Sequence, residues 1–186
     1  MGLLSSSCSS PIKSFIVLLL GAAFVALAGC ASSPISLSES GSLAQGEGIV
    51  AGCVNLLKEG EVKRLSSVFG ESQFGLFVTG ANASAAMFVP LKGEGDFIWH
   101  LPGGVYHITG FEWRSGTTIS GPIGANFQVV DGQVAYIGNL VMNFYGSRYI
   151  VKITDEMEST AKRVALQYPT LRGQITKALM TLEERR

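Results

Sequence analysis

The sequence predicts a mainly β protein, an antiparallel sandwich of about eight strands followed by one or two C-terminal helices. Three observations carry this. From Gly48 onward, short apolar stretches are separated by glycine, which is abundant at 23 of 186 residues, the pattern of strands and turns. Turn chemistry recurs at Pro102-Gly103-Gly104, Asp131-Gly132 and Gly146-Ser147. A helical apolar period appears only after Asp155. The length fits one such domain plus a targeting segment.

The chain opens with a leader. Residues 15–28 form one apolar run, preceded by Lys13 and closed by Ala28-Gly29. A positive flank, a short hydrophobic stretch and a narrow end make a signal peptide. The run is shorter than the roughly 20 residues of a permanent membrane helix. Leu27-Ala28-Gly29-Cys30 resembles the lipobox of bacterial lipoproteins. That resemblance implies diacylglyceryl transfer to the Cys30 sulfur and cleavage between Gly29 and Cys30, so that membrane lipid holds the chain through acylated Cys30. Two or three acyl chains hold a protein stably where one is marginal. In the sorting pattern of this class an aspartate after the cysteine retains the protein at the inner membrane. Ala31 stands there, which implies the outer membrane, facing the periplasm. Met1-Gly2-Leu3-Leu4-Ser5-Ser6 formally fits an N-myristoylation pattern, but it precedes an export signal and is read as chance. The expected divisions are 1–29 signal peptide, 30–46 lipidated cysteine and flexible tether, 47–154 sandwich, and 155–186 helical segment. A serine-rich tether of sixteen residues reaches about 22 Å.

The strands follow in order: Ile49–Leu57, Gly75–Thr79, Ala85–Val89, Asp96–Leu101 and Val105–Trp113. Leu101-Pro102-Gly103-Gly104 must turn, since proline cannot donate in a ladder and glycine permits positive φ. Gly116 and Gly121-Pro122 mark a loop. Asn126–Ile137 carries Asp131-Gly132 between β-formers, the signature of a type I′ hairpin. Leu140–Phe144 and Arg148–Ile153 form another hairpin across Tyr145-Gly146-Ser147. Asp155 then caps a helix, with Glu158 completing a capping box. Met157, Ala161, Val164 and Tyr168 form its apolar stripe, ending before Pro169. A second helix is expected to carry Leu171, Ile175, Ala178, Leu179 and Leu182.

Gly95–Ile108, with its Leu101-Pro102-Gly103-Gly104-Val105-Tyr106 centre, resembles the strand–Leu-Pro-x-Gly-x-Tyr–strand element of transthyretin-like and carboxypeptidase-regulatory-like sandwiches. Phe127-Gln128-Val129, Gly132-Gln133 and Tyr136–Leu140 are similar to a later phrase of those domains. The resemblance implies an Ig/transthyretin-like sandwich, as found in many envelope lipoproteins. It carries over no functional residues.

Function is less legible. Only Lys13 of the 14 basic residues, and none of the 14 acidic ones, precedes Cys30. The remainder is nearly neutral and has no basic field for nucleic acid. Cys53 is the one thiol expected in the processed chain, which rules out an internal disulfide, and its apolar neighbours make it a small buried hydrophobe. His100 and His107 flank the Pro-Gly-Gly turn. If that turn made a hairpin, the two could share a metal with Glu94, Asp96 or Glu112 as third ligand; two solvent-facing histidines are the plainer reading. Gly-x-Ser-x-Gly is absent. Gly46-Glu47-Gly48 and Gly93-Glu94-Gly95 lack the setting of a phosphate loop. Asn82-Ala83-Ser84 is a sequon without consequence in a bacterium. Trp99, Tyr106, Phe111 and Trp113 alternate as core residues do. The expectation is a non-catalytic interaction or structural module of the cell envelope, without cofactor, engaging an envelope protein or glycan. The alternative is a small-ligand or metal-binding protein using the His100/His107 face.

Overall fold

A computed structural model describes residues 35–36, 46–63, 72–80, 83, 85–91, 95–167, 169 and 175–183. The leader, the lipobox and Cys30 lie outside the described residues, as do Asn82, Ser84, Glu94 and Leu171. The strands are β1 (Ile35–Ser36), β2 (Glu47–Lys58), β3 (Glu61–Lys63), β4 (Ser72–Gly80), β5 (Met87–Leu91), β6 (Asp96–Pro102), β7 (Gly104–Ser115), β8 (Thr117–Val129), β9 (Val134–Tyr145) and β10 (Arg148–Thr154). Helix α1 (Met157–Gln167), β11 (Ile175–Lys177) and β12 (Thr181–Leu182) complete the set.

The strands form two sheets. The first runs β1-β6-β2-β9-β10, with β3 on the end of β2 and β11 on the start of β9; the second runs β12-β8-β7-β4-β5. Between them lies one apolar core: Val50, Val54, Trp99, Ile137, Leu140 and Met142 from the first sheet meet Phe74, Leu76, Ile108, Phe111 and Phe127 from the second. Phe97 stacks on Trp99 at 4.1 Å and Tyr106 on Phe127 at 5.4 Å between ring centroids. The expected sandwich is therefore present. Trp99 and Phe111 are fully buried, and Tyr106 and Trp113 pack against the core.

Two pairings are parallel, β2 with β9 and β11 with β9, where an antiparallel sheet was expected. Both strands at the centre of this arrangement are buried on both faces over much of their length, as parallel strands generally are. One outer face is covered by α1. Its Val164 packs on Ile49, Ala51 and Val134, flanked by Ile98 and Ile175. The helix begins as expected: Met157 N–H donates to Asp155 Oδ1 at 3.3 Å, and Glu158 lies in the first turn.

Three further expectations need correction. The second helix is absent from the described stretch, where Ile175–Lys177 and Thr181–Leu182 are strands. The early part of β9 offers an open edge, and its carbonyls take the N–H groups of Ala178 (2.9 Å) and Met180 (2.8 Å). Met180 is then buried in the inter-sheet core, so tertiary pairing overrides the apolar period. Asp131-Gly132 is not a type I′ hairpin. Of the two, only Gly132 has positive φ (+72°), and the turn carries the chain from β8 in one sheet to β9 in the other. Pro102-Gly103-Gly104 is likewise a corner between sheets, from β6 to β7. Finally, Gly121-Pro122 is no loop. Both lie within β8, and the turn is at Gly116 (φ +71°). Pro122 is tolerated because it sits opposite Gly110, next to a register shift in β7.

The two corners are tied together by the start of β2. Gly103 N–H donates to Gly46 O (3.0 Å) and Gly132 N–H to Glu47 O (2.8 Å). A Cβ on Gly103 would lie 1.8 Å from Asp131 Oδ1, so each corner packs on the other. The turn with two positive φ values is instead Glu59-Gly60 (+55° and +87°), joining β2 to β3. Within the span expected to be a tether, Ile35–Ser36 pairs with Trp99 and His100 of β6.

Candidate functional site

The two histidines are not brought together. His100 lies on β6 opposite Ile49, on the outer face of the first sheet. His107 lies on β7 opposite Asn126, on the outer face of the second. A core about one sheet-to-sheet spacing thick, roughly 10 Å, separates them. His100 Nε2 stands 2.9 Å from Glu47 Oε2, out of line for a hydrogen bond. His107 Nδ1 contacts Asn126 Oδ1, whose Nδ2 donates to Glu183 Oε1 at 3.2 Å. Each ring thus has its own carboxylate-bearing neighbourhood. Of the supporting ligands proposed for a shared metal, Asp96 and Glu112 are engaged elsewhere, with Arg163 (2.8 Å) and Arg114 (2.6 Å). Among the described residues no group of three or more His, Cys, Asp and Glu side chains is placed to hold a metal ion.

A more developed site lies where α1 meets the first sheet. The outer face changes character along β2. Ile49 and Ala51 under the helix are apolar, and the next outward positions are Cys53 and Asn55. Asp96 on β6 and Asn139 on β9 are the lateral partners of Cys53. The helix packs on β2 and β9 with Glu156 just before its first turn and Arg163 in its second half, leaving a cleft of about 290 Å³ whose lining mixes apolar residues of β2 and β3 with Cys53, Lys63, Asp96, Asn139, Glu156 and Arg163. Arg163 pairs with Asp96 across the helix–sheet interface, and Lys63 with Glu61 at 2.9 Å.

Cys53 is buried, as expected, but beside polar rather than only apolar groups. Its Sγ lies 3.5 Å from Asn55 Oδ1. Burial, reinforced by the Asp96 carboxylate, pushes its thiol pKa up to about 12. The thiol stays protonated at neutral pH, the opposite of an activated nucleophile.

Tyr136 organises the back of the cleft. Its fully buried hydroxyl accepts the Glu156 N–H at 2.7 Å and donates to Asn139 Oδ1 at 3.2 Å, with Thr154 O at 3.4 Å as a longer option. Burial holds its phenol above the usual range. Asn139 is only 1% exposed, yet its Nδ2 has no hydrogen-bond partner among the described residues, and neither does Thr154 Oγ1 across the ladder. Leaving a buried amide donor unmet costs about 1–3 kcal/mol. Tyr136 and Asn139 stood out in the sequence only within the Tyr136–Leu140 phrase that resembles sandwich domains, Glu156 only as an acidic residue at a helix start, and Arg163 not at all. The one available signal was Asn139 itself, a polar residue inside the apolar run Val134–Met142.

A second depression, about 410 Å³, lies beside His107 and is lined by Ile108, Thr109, Pro122, Ile123 and Glu183. It is shallow and largely apolar.

No protein-family profile matches the chain, and no curated protein matches it. Among solved structures it is similar to a leucine-rich repeat protein from Bacteroides thetaiotaomicron, at 18% identity and a TM-score of 0.31, over 66% of this chain and 16% of that one. The chain thus spans about a sixth of that structure's length, and a likeness this distant bears on neither fold nor function.

Proposed function

We propose that this chain is the precursor of a bacterial cell-envelope lipoprotein. Its sandwich acts as a non-catalytic interaction or structural module, held at the outer membrane through acylated Cys30 and facing the periplasm. The carrying observation is the sequence Leu27-Ala28-Gly29-Cys30 at the end of the apolar run 15–28, directly ahead of a β-sandwich. The sandwich is of the transthyretin-like kind on this reading. Two features support a non-catalytic role: the Cys53 thiol is held protonated, and His100 and His107 sit on opposite outer faces.

The mechanism is display. Lipid fixes the chain at the bilayer surface, and the residues after Cys30 set how far the sandwich stands from it. A sheet edge or outer face then engages a protein or glycan of the envelope. In-cell crosslinking followed by detergent extraction tests this on wild type and Cys30→Ala. One dominant partner recovered only with the wild type, alongside loss of the variant from the membrane fraction, is the expected result. Equal membrane recovery of both forms contradicts it.

A further inference from the structure

We propose that the outer face of the second sheet binds a neutral glycan, stacked on the rings of Phe77 and Phe88. The two rings belong to neighbouring strands, β4 and β5, and are paired in register. Their centroids lie 5.3 Å apart at 52°. Both lie outside the inter-sheet core and are half-buried. Glycine makes the shelf on which they rest. Phe74 and Leu76 point inward and are fully buried, so Gly75 between them faces out, and a Cβ there would collide with Phe88 Cζ and Cε2. The Phe88 ring thus lies across the backbone of β4. Glycine inside a strand often marks such a close approach. The row continues from Phe77 to its β7 partner Gly110 and on to Pro122 of β8. It crosses three strand spacings, about 14 Å, the length of a short oligosaccharide.

The surroundings of this row select its occupant. On one side Glu112 pairs with Arg114 at 2.6 Å; on the other Glu183 is held by Asn126 beside His107. Charges that are already paired favour a neutral partner over an anionic lipid surface or a charged peptide. They still offer fixed acceptors and donors to hydroxyl groups. A pyranose matches both parts: its axial C–H groups carry partial positive charge and meet the negative ring faces, while its hydroxyls point sideways to the polar flanks. Two rings, a glycine and a proline are far less than the roughly 800 Å² that each partner contributes to a stable protein interface. The proposal deepens the reading of the sandwich as an interaction module, rests on that reading, and names the partner's chemistry.

The test follows the ring resonances of Phe77 and Phe88 in the full chain labelled with ¹³C-phenylalanine and held in dodecylphosphocholine micelles, a detergent without a sugar headgroup. The probes are cellotetraose and chitotetraose. At least one is expected to shift both rings saturably while the buried rings of Phe74 and Phe111 stay in place. Phe88→Leu keeps an apolar cover over Gly75 but removes a ring face, and is expected to weaken binding roughly tenfold, the upper worth of one aromatic contact. Phe88→Tyr keeps the ring and retains binding. Cys30→Ala should bind as wild type does, so that failure of the lipid anchor and failure of this site are read separately. No saturable shift with either sugar, shifts that spare both rings, or undiminished binding in Phe88→Leu overturns the proposal. So does a protein crosslinked in cells from Gln73, at the end of the row, that neither sugar displaces.

Discussion

The two outer faces of the sandwich differ, and the difference shows what the sequence encodes most strongly. On the second sheet, β7 and β8 alternate, sending Ile108, Ala125, Phe127 and Val129 inward and leaving His107, Thr109, Gln128 and Thr118 half-buried or exposed. On the first sheet, β2 and β9 do not alternate. Ile49, Val50 and Ala51 are all buried, as are Val134 to Leu140, because α1 supplies a second apolar layer. A strand can abandon its period of two only where both faces are covered. The first sheet thus has a covered region followed by a polar one at Cys53, Asn55 and Asn139, and the cleft opens at the boundary.

Charge on each outer face should break this contrast most visibly. Ala51→Asp places a carboxylate under α1 and is expected to destabilise by about 3 kcal/mol or more. Thr118→Asp on the open face of β8, beside Arg114, should stay within about 0.5 kcal/mol. Urea midpoints at constant m-value compare the two, and equal losses would refute the two-layer account. A gentler cut at the same interface is Val164→Ala. It removes two buried methyl groups at about 0.8 kcal/mol each, and with the cavity left behind the expected cost is about 2 kcal/mol. The same change at Leu166, on the exposed side of α1, should cost little.

The corners offer a third test. Gly132→Ala forces a side chain into positive φ (+72°) and is expected to cost about 1–2 kcal/mol. No atom crowds that position, so the cost is conformational alone. Gly103→Ala, where φ is not the constraint but Asp131 occupies the Cβ position, should be partly rescued by Asp131→Ala. Additive losses in the double variant would show that the corners do not pack together.

The smallest effect concerns the helix start. A hydrogen bond from Lys177 and, less strongly, the Met157 N–H hold the Asp155 carboxyl below its usual range. A depressed carboxylate pKa stabilises the fold above the unfolded pKa of about 3.9, and that contribution fades as pH falls through the folded value. Wild type should therefore lose stability below about pH 4 faster than Asp155→Asn, whose thermal midpoint should be lower at pH 7 and flatter with pH. Parallel curves would show that the pairing contributes nothing.

Most strands were legible because their apolar stretches are bounded by glycine and proline, and α1 because Asp155, Glu158 and its stripe agree with one another. Topology was not. Asp131-Gly132 and Pro102-Gly103-Gly104 turn the chain as their chemistry requires, but local residues do not decide whether the next strand joins the same sheet or the opposite one. That choice rests on distant partners, such as Glu47 for Gly132 and Gly46 for Gly103. The strand at Ile175–Lys177 was hidden for the same reason, since the edge of β9 decides it. The hairpin at Glu59-Gly60 escaped notice because glutamate is not a usual residue at positive φ. The cleft was the least legible part. Its residues come from β2, β6, β9 and α1, and only an asparagine in an apolar run hinted at it.

The central claim, a lipid-anchored module, is tested most directly by mass spectrometry of the N-terminal peptide from protein made in a double-membraned bacterium. The account predicts a chain that starts at Cys30 and carries diacylglyceryl mass on that residue, absent in Cys30→Ala. A chain that retains residues 1–29, or one that begins elsewhere without added lipid, would contradict it.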